Sequence, residues 1–169
     1  PDCLTIISGD ALKVDVHKLG GRPRHIVANL PYNVGTPLLF NWLKEIDSFA
    51  GMTLLFQKEV AERIAAKPGE DAYGRLGIMA GWLCEVEKLF DINPRAFTPP
   101  PKVTSTLVHL SPRSERFSAS FSALEKVTAA AFGQRRKMLR SSLKSLGDAN
   151  ALCMAAGINP AARAEEITV

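Results

Sequence analysis

Groups that could bind an exocyclic amine and the flat ring that carries it are adjacent in the sequence Asn29-Leu30-Pro31-Tyr32. The Asn29 amide oxygen is one hydrogen-bond acceptor, and the Leu30 carbonyl is a second, held in one direction because Pro31 has a fixed φ. Tyr32 offers an aromatic face for stacking. The apolar run 25–28 before them predicts a buried strand, so the four residues would lie at the C-terminal edge of a sheet, where open α/β folds bind ligands. The competing interpretation is a proline-containing turn without chemical function.

A second candidate is the stretch 96–105, Ala-Phe-Thr-Pro-Pro-Pro-Lys-Val-Thr-Ser. Three consecutive prolines predict a stiff, extended connection that leads into a strand. In one interpretation the Phe97 side chain is simply buried in the core, as aromatic residues in linkers usually are. Alternatively it faces Tyr32 across a pocket, so that an unstacked base lies between two rings, and such stacking is worth roughly 1–3 kcal/mol per base.

The positive charge is concentrated near the end of the chain. Residues 1–110 hold 12 Lys and Arg against 12 Asp and Glu, whereas residues 111–169 hold 9 against 5. Arg136, Arg140 and Lys144, at positions i, i+4 and i+8, are predicted to share one helix face. Such a cluster suits a phosphate backbone, although most charged runs are solvated helix faces.

The elements that must position these residues alternate between strand and helix. Thr36 as N-cap with Pro37 behind it predicts the start of a helix. Its core face would be Leu38, Leu39, Trp42, Leu43 and Ile46. Interleaved strands and helices predict an α/β fold with a mostly parallel sheet. The predicted strands are 4–8, 24–29, 51–56, 85–90 and 102–110, with helices from 36, at 58–66 and at 74–82.

A polar stretch at 111–114 marks a plausible domain boundary, and only helical periodicity follows it. Three short helices are predicted there, separated by Gly133, Gly147 and Gly157. We therefore expect two domains, residues 1–112 with both strands and helices and residues 113–169 with helices alone.

Five ordered blocks resemble one family, the small-subunit ribosomal RNA adenine N6,N6-dimethyltransferases, also known as kasugamycin-sensitivity methyltransferases. The blocks are 9–12 (GDAL), 29–33 (NLPYN), 56–63 (FQKEVAER), 73–76 (YGRL) and 97–105 (FTPPPKVTS), and the tail 132–139 (FGQRRKML) is also typical. The resemblance implies an α/β fold in which residues 1–112 are the C-terminal part of a Rossmann-like S-adenosylmethionine-dependent methyltransferase domain whose sheet lacks its first strands. It implies that residues 113–169 are a small all-helical domain that binds rRNA. It implies methyl transfer to N6 of two adjacent adenosines near the 3′ end of small-subunit rRNA.

The resemblance also implies residue roles. The catalytic residues would bind the target amine and its ring, and they are Asn29, Leu30, Pro31, Tyr32 and Phe97. Gly9, Asp10, Ala11 and Asn29 would bind S-adenosylmethionine, with Asp10 accepting from its adenine amine. The expected rRNA contacts are Lys58, Arg63 and Lys102 near the pocket and Arg135, Arg136, Lys137, Arg140 and Lys144 in the tail.

The sequence departs from the family pattern at its start. The glycines Gly9, Gly20, Gly21 and Gly35 do not form the G-x-G-x-x-G loop expected after a first strand, and no strand is predicted before Leu4. We therefore interpret the sequence as a fragment that begins just before the third cofactor motif and stops early. By itself it should bind cofactor poorly and be inactive.

Two alternatives remain open at this stage. One is the related group that methylates a large-subunit rRNA adenosine and confers macrolide resistance. The other is a non-catalytic RNA-binding or ribosome-assembly factor. No apolar run is long enough to cross a bilayer, and the three cysteines are scattered without metal-ligand spacing, so we expect a cytoplasmic monomer that binds neither metal nor membrane.

Overall fold

The computed structural model describes residues 3–134 and 136–168. In that part of the chain, strands and helices are interspersed until residue 112, and helices alone follow. The elements are β1 His25–Asn29, α1 Gly35–Lys44, β2 Gly51–Gln57, α2 Lys58–Ala65, α3 Arg75–Leu83, β3 Cys84–Ile92, β4 Ser105–Pro112, α4 Phe121–Gly133, α5 Leu139–Ser142 and α6 Ala149–Ala155. Short 3₁₀ turns lie at Ala11–Lys13, Val16–Lys18, Ile46–Ser48, Pro94–Ala96, Leu143–Leu146 and Ala164–Glu166.

The sheet has four strands in the order β1-β2-β4-β3. β1 and β2 are parallel, whereas β4 is antiparallel to both β2 and β3. The prediction of a mostly parallel sheet was therefore wrong for these four strands. β3 and β4 are consecutive and are joined by residues 93–104 without a crossover helix, which only an antiparallel pair allows.

These strand directions bring the predicted motifs to one edge of the sheet. β1 and β2 end there at Asn29 and Gln57, and β3 ends beside them at Ile92. β4 runs the other way and begins at this edge, with Ser105 opposite both Gln57 and Ile92. The segments 29–32, 57–58 and 93–104 therefore all leave or enter the sheet at the same edge.

α1 covers one face of the sheet with the predicted apolar stripe. Leu38, Leu39 and Leu43 are at most 1% exposed and belong to the main core with Met52 and Leu54 of β2. The predicted N-cap at Thr36 was wrong, since the helix begins at Gly35. The reason is that the Pro31 carbonyl accepts hydrogen bonds from the amides of residues 34 and 35, which starts the first turn before Pro37.

The predicted first strand, 4–8, does not form in the described structure. Leu4 and Ile6 are 78% and 84% exposed, and no described strand pairs with this segment. Apolar alternation shows only that a segment suits a sheet, because a strand exists only through hydrogen bonds to a neighbour.

The helical region after residue 120 contains the three helices predicted from its glycine spacing. It has a small core of its own that includes Ala131, Leu139 and Cys153. It also packs on the sheet region, because Arg75 of α3 forms an ion pair with Glu125 of α4 at 2.8 Å. This pairing, with the packing of Leu124 against the main core, ties α4 to α3.

The contact between α2 and α3 depends on a glycine. A Cβ added at Gly77 would lie 2.9 Å from the Arg63 carbonyl oxygen and 3.1 Å from that of Ala66, and both atoms are backbone. We expect Gly77→Ala to lower the free energy of unfolding by about 1–3 kcal/mol, because the two helices must move apart. Urea denaturation followed by circular dichroism measures this change.

Gly81 in the same helix is the matched control. A Cβ there would meet no atom within 4 Å. Since alanine is the better helix former, Gly81→Ala should stabilise the protein by roughly 0.5–1 kcal/mol. Equal effects of the two substitutions would show that close packing at residue 77 does not determine how α2 and α3 fit together.

Candidate active site at the sheet edge

The predicted amine-binding motif lies in the turn that joins β1 to α1. Asn29, the last residue of β1, is exposed, whereas Leu30 is only 7% exposed and packs in the main core. The Pro31 carbonyl accepts from the amides of Val34 and Gly35, both at 3.1 Å. The motif is thus anchored by a buried leucine and a hydrogen-bonded turn, with the amide of Asn29 on the surface.

The turn packs closely on β2. A Cβ at Gly35 would lie 3.2 Å from the ring of Phe56, so this position requires a small residue. A cavity of about 10 Å³ lies between the turn and β2, lined by residues that include Tyr32, Thr36 and Gln57. It is too small to enclose a base, so a base stacked on Tyr32 would lie over the ring at the protein surface.

Tyr32 is connected to the start of β4. Its hydroxyl lies 3.1 Å from the Ser105 Oγ, a hydrogen bond between residues 73 positions apart in the chain. The Tyr32 side chain is 45% exposed, whereas Ser105 is fully buried. The ring therefore has one end held inside the sheet edge and part of its surface open.

Phe97 lies on the connection from β3 to β4, at the same edge of the sheet. It follows the 3₁₀ turn Pro94–Ala96, its amide donates to the Pro94 carbonyl, and its side chain is half-buried. Phe97 is not among the residues that line the small cavity at Tyr32, and the two rings form no ring contact within residues 3–134 and 136–168. The base clamp of Tyr32 and Phe97 stays a prediction.

A polar network fixes the neighbouring part of the edge. Lys58 Nζ donates to Asp91 Oδ2 at 2.6 Å, and the hydroxyl of Thr106 donates to Asp91 Oδ1 at 2.7 Å. The Lys58 amide also donates to the Thr104 carbonyl. The network joins the start of α2, the end of β3 and the start of β4. Lys58, predicted to contact rRNA, is thus engaged with a carboxylate.

The network sets a pH dependence. The hydrogen bond from Lys58 lowers the pKa of Asp91, helped by the bond from Thr106, and the bond to Asp91 raises the pKa of Lys58. Because the Asp91 pKa is lowered by folding, its stabilising effect is present above the ordinary value of about 3.9 and is lost as the pH falls through the lowered pKa. We expect Asp91→Asn to destabilise the protein at about pH 6, and we expect its difference from the wild type to shrink as the pH falls below about 3.9, as measured by thermal melting.

Asp71→Asn provides a control for this pH experiment, because Asp71 is an exposed aspartate in a turn. It should leave the melting temperature unchanged relative to the wild type across the same range. A difference between Asp91→Asn and the wild type that does not shrink on acidification would contradict the assigned role of the Asp91 carboxylate.

The other predicted rRNA contacts are exposed basic side chains. Arg63 lies on α2 and Lys102 on the connection into β4, and both are exposed, as are the tail residues Arg136, Lys137, Arg140 and Lys144. The prediction that three tail residues share one helix face was wrong. α5 begins only at Leu139 and a 3₁₀ turn follows from Leu143, so Arg136 lies in the preceding turn. Arg135 lies outside the described residues.

The predicted cofactor residues lie at a turn packed against α1. Asp10 caps the 3₁₀ turn Ala11–Lys13 by accepting from the Leu12 amide at 3.0 Å, and its second oxygen lies 3.9 Å from Lys13 Nζ. Gly9 and Ala11 beside it are exposed. A half-exposed carboxylate with acceptor capacity left over fits the amine of a nucleoside.

Two features of the edge were missed in the sequence. One is the network of Asp91 with Lys58 and Thr106, and the other is the contact between Ser105 and Tyr32. The available signal was a pair of polar residues, Ser105 and Thr106, at the start of a strand that is otherwise mostly apolar. Within the described residues, no helix is long and apolar enough to span a membrane.

One family of known proteins matches nearly the whole chain. A model of the ribosomal RNA adenine dimethylase family matches residues 2–169. Ribosomal RNA small subunit methyltransferase A of Rhodospirillum rubrum is 60% identical over 170 residues, which cover 100% of this chain and 59% of the relative. The protein of the same name from Caulobacter vibrioides is 59% identical, covering 97% of this chain and 64% of the relative.

Two solved structures share the fold. A dimethyladenosine transferase from Plasmodium falciparum superimposes with a TM-score of 0.73 at 30% identity, covering 95% of this chain and 59% of that one. The 23S rRNA methyltransferase ErmE superimposes with a TM-score of 0.61 at 24% identity, covering 92% of this chain and 64% of that one, a likeness of fold alone.

The fold is therefore the Rossmann-like α/β fold of rRNA methyltransferases, as predicted. More narrowly, the chain belongs to the ribosomal RNA adenine dimethylase family. It spans about 60% of the length of the curated relatives that it matches.

Proposed function

We propose that the full-length protein transfers methyl groups from S-adenosylmethionine to N6 of two adjacent adenosines near the 3′ end of small-subunit rRNA. The observation that carries this proposal is the position of Asn29 to Tyr32 at the C-terminal edge of β1, directly before α1. The names of the bacterial relatives supply the small-subunit rRNA as substrate. Such a substrate places the reaction in the cytoplasm, where bacterial ribosomes are assembled.

The chain's own residues would orient the target amine. In the first transfer the side-chain oxygen of Asn29 and the carbonyl of Leu30 would accept the two N6 hydrogens, which favours a pyramidal nitrogen with its lone pair directed away from the ring. The nitrogen releases one proton to solvent for each methyl group that it receives, so a single N6 hydrogen remains to be held in the second transfer. An adenine amine is a poor nucleophile because its lone pair is delocalised into the ring, so this orientation raises its reactivity. Dipoles at the edge then stabilise the positive charge that develops on nitrogen.

Tyr32 would hold the ring of the same base. Its exposed face offers stacking worth roughly 1–3 kcal/mol, which offsets part of the cost of taking the adenosine out of its stack. Phe97 emerges at the same edge of the sheet and would cover the other face of the base. We place both aromatic residues in the base-binding site.

S-adenosylmethionine, when bound, supplies an electrophilic methyl group. Asp10 would accept a hydrogen bond from its adenine amine through the carboxylate oxygen not engaged with Leu12, with the Gly9 and Ala11 backbone alongside. Asn29 would contact it from the sheet edge. The methionine and ribose parts of the cofactor would need a G-x-G-x-x-G loop, and residues 1–169 contain no such loop. We therefore expect cofactor affinity from the full-length protein.

The basic side chains of the tail would contact the rRNA backbone. Arg136, Lys137, Arg140 and Lys144 are exposed around α5, in the region that carries the net positive charge. Phosphate contacts of this kind supply affinity and orientation rather than sequence preference. Arg63 and Lys102 would add contacts nearer the sheet edge.

The test is methyl incorporation into two substrates. The full-length protein is incubated with radiolabelled S-adenosylmethionine and either immature small subunits or free large-subunit rRNA. We expect incorporation into the small-subunit substrate only. Incorporation into the large-subunit rRNA alone would assign the protein to the macrolide-resistance type of enzyme, and binding of small subunits without incorporation would make it an assembly factor.

A further inference from the structure

Ser105 is an unusual residue for its position. It is fully buried at the start of β4, beside Thr106, which is 2% exposed. Within the described part of the chain, its hydroxyl has one side-chain hydrogen-bond partner, the hydroxyl of Tyr32 at 3.1 Å. A buried hydroxyl is costly to leave unpaired, so the bond fixes both groups.

We propose that Ser105 is a positioning residue that sets the orientation of the Tyr32 ring for the target base. This inference rests on the proposed function, because it concerns how the same site holds its substrate. The chemical class recognised through this pair is an unstacked purine nucleotide of an RNA chain. Ser105 itself, being fully buried, acts through Tyr32 and does not touch the base.

The position of the Ser105 hydroxyl is determined by several elements. Ser105 lies opposite Gln57 of β2 and Ile92 of β3 in the sheet, so its backbone is held from both sides. The next residue, Thr106, donates to Asp91, and the Thr104 carbonyl before it accepts from the Lys58 amide. A side chain fixed in this way is a hydrogen-bond partner of constant position for the Tyr32 ring, which belongs to a surface turn.

Tyr32 needs a fixed hydrogen-bond partner to hold its ring in one orientation. It follows Pro31 in the turn between β1 and α1, its side chain is 45% exposed, and the adjoining cavity of about 10 Å³ leaves it no deep pocket. Without the bond to Ser105, the ring could rotate toward solvent at small cost. With the bond, the hydroxyl end is held at buried Ser105, while part of the Tyr32 surface stays exposed at the sheet edge.

The Ser105 and Tyr32 hydroxyls differ in burial. Substitutions at the two residues should therefore differ in their effect on stability while both lower activity. Removing the Ser105 hydroxyl leaves the Tyr32 hydroxyl on a half-exposed side chain, where water can replace the lost partner. Removing the Tyr32 hydroxyl leaves the Ser105 oxygen buried and unpaired. Tyr32→Phe should therefore lower the melting temperature, while Ser105→Ala should change it little.

The experiment is a double-mutant cycle in the full-length protein. We compare Ser105→Ala, Tyr32→Phe and the double variant with the wild type by steady-state methylation of small subunits. Each single variant should lower kcat about five- to tenfold with little change in KM, since phosphate contacts dominate rRNA affinity. The double variant should be no slower than the slower single variant, because both substitutions remove the same bond.

Ser142→Ala is the matched control. Ser142 is a buried serine of α5 whose hydroxyl has no hydrogen-bond partner among residues 3–134 and 136–168, so the same chemical change is made away from Tyr32. It should leave kcat unchanged. A Ser105→Ala variant with wild-type kcat would overturn the inference, and so would losses that multiply in the double variant. The proposed function fails only if the wild type transfers no methyl groups to small subunits, and the melting temperatures of Ser105→Ala and Tyr32→Phe then still test the hydrogen bond.

Discussion

Asn29→Ala should lower methylation of small-subunit rRNA by the full-length protein by about 10²–10³-fold, while rRNA affinity stays at the wild-type value. The expected loss follows from removing one of two acceptors that orient the amine and stabilise its developing charge. Asn29 is exposed at the end of β1, so the substitution leaves the apolar core intact. Single-turnover methylation and filter binding, each made on the same preparations, separate catalysis from affinity.

Asn33→Ala is the control for this experiment, because it makes the same side-chain change four residues further along, also at an exposed position. It should methylate at the wild-type rate. Equal rates for the wild type and Asn29→Ala would exclude Asn29 from catalysis. Equal losses in both variants would show that the turn is sensitive to any substitution and that the Asn29 oxygen has no special role.

The combined variant Arg136→Gln, Arg140→Gln and Lys144→Gln should lower rRNA affinity by roughly 10²-fold at moderate salt. Each lost phosphate contact should reduce the slope of log affinity against log salt concentration by about 0.7–0.9. Three lost contacts therefore lower the slope by roughly two to three. Fluorescence anisotropy of labelled small-subunit rRNA at several KCl concentrations measures both quantities.

The matched control removes three exposed basic charges elsewhere, with the substitutions Arg22→Gln, Lys67→Gln and Lys126→Gln. It changes the net charge by the same amount. We expect only a small loss of affinity and an almost unchanged salt slope. If both triple variants lose affinity equally, then the total charge of the protein matters and the tail is not a specific contact surface.

The elements that sequence reasoning predicted well are those whose signal is local. The apolar stripe of α1, the apolar β2 and the glycine-separated helices of the tail all depend on residues close together in the chain. The edge position of residues 29–32 was also predictable, because the proline that follows the strand is a local signal for its end. The family resemblance came from the same local motifs.

The elements that failed depend on distant partners. Residues 4–8 have strand-like composition, but the described structure holds no strand to pair with them. The direction of β4 follows from the connection 93–104 and not from its own residues. The bond between Tyr32 and Ser105 joins positions 73 apart, and no pattern in one sequence specifies such a pair. The ion pair of Lys58 with Asp91 was missed for the same reason.

The identity of the methylated atom tests the central claim most directly. Small-subunit rRNA treated with the full-length protein and S-adenosylmethionine is digested to nucleosides and analysed by mass spectrometry against synthetic standards. If Asn29 and Leu30 at the sheet edge bind an exocyclic amine, as proposed, the product should be N6,N6-dimethyladenosine. Methylation at a ring nitrogen, at a ribose hydroxyl or on a base without an exocyclic amine would contradict it.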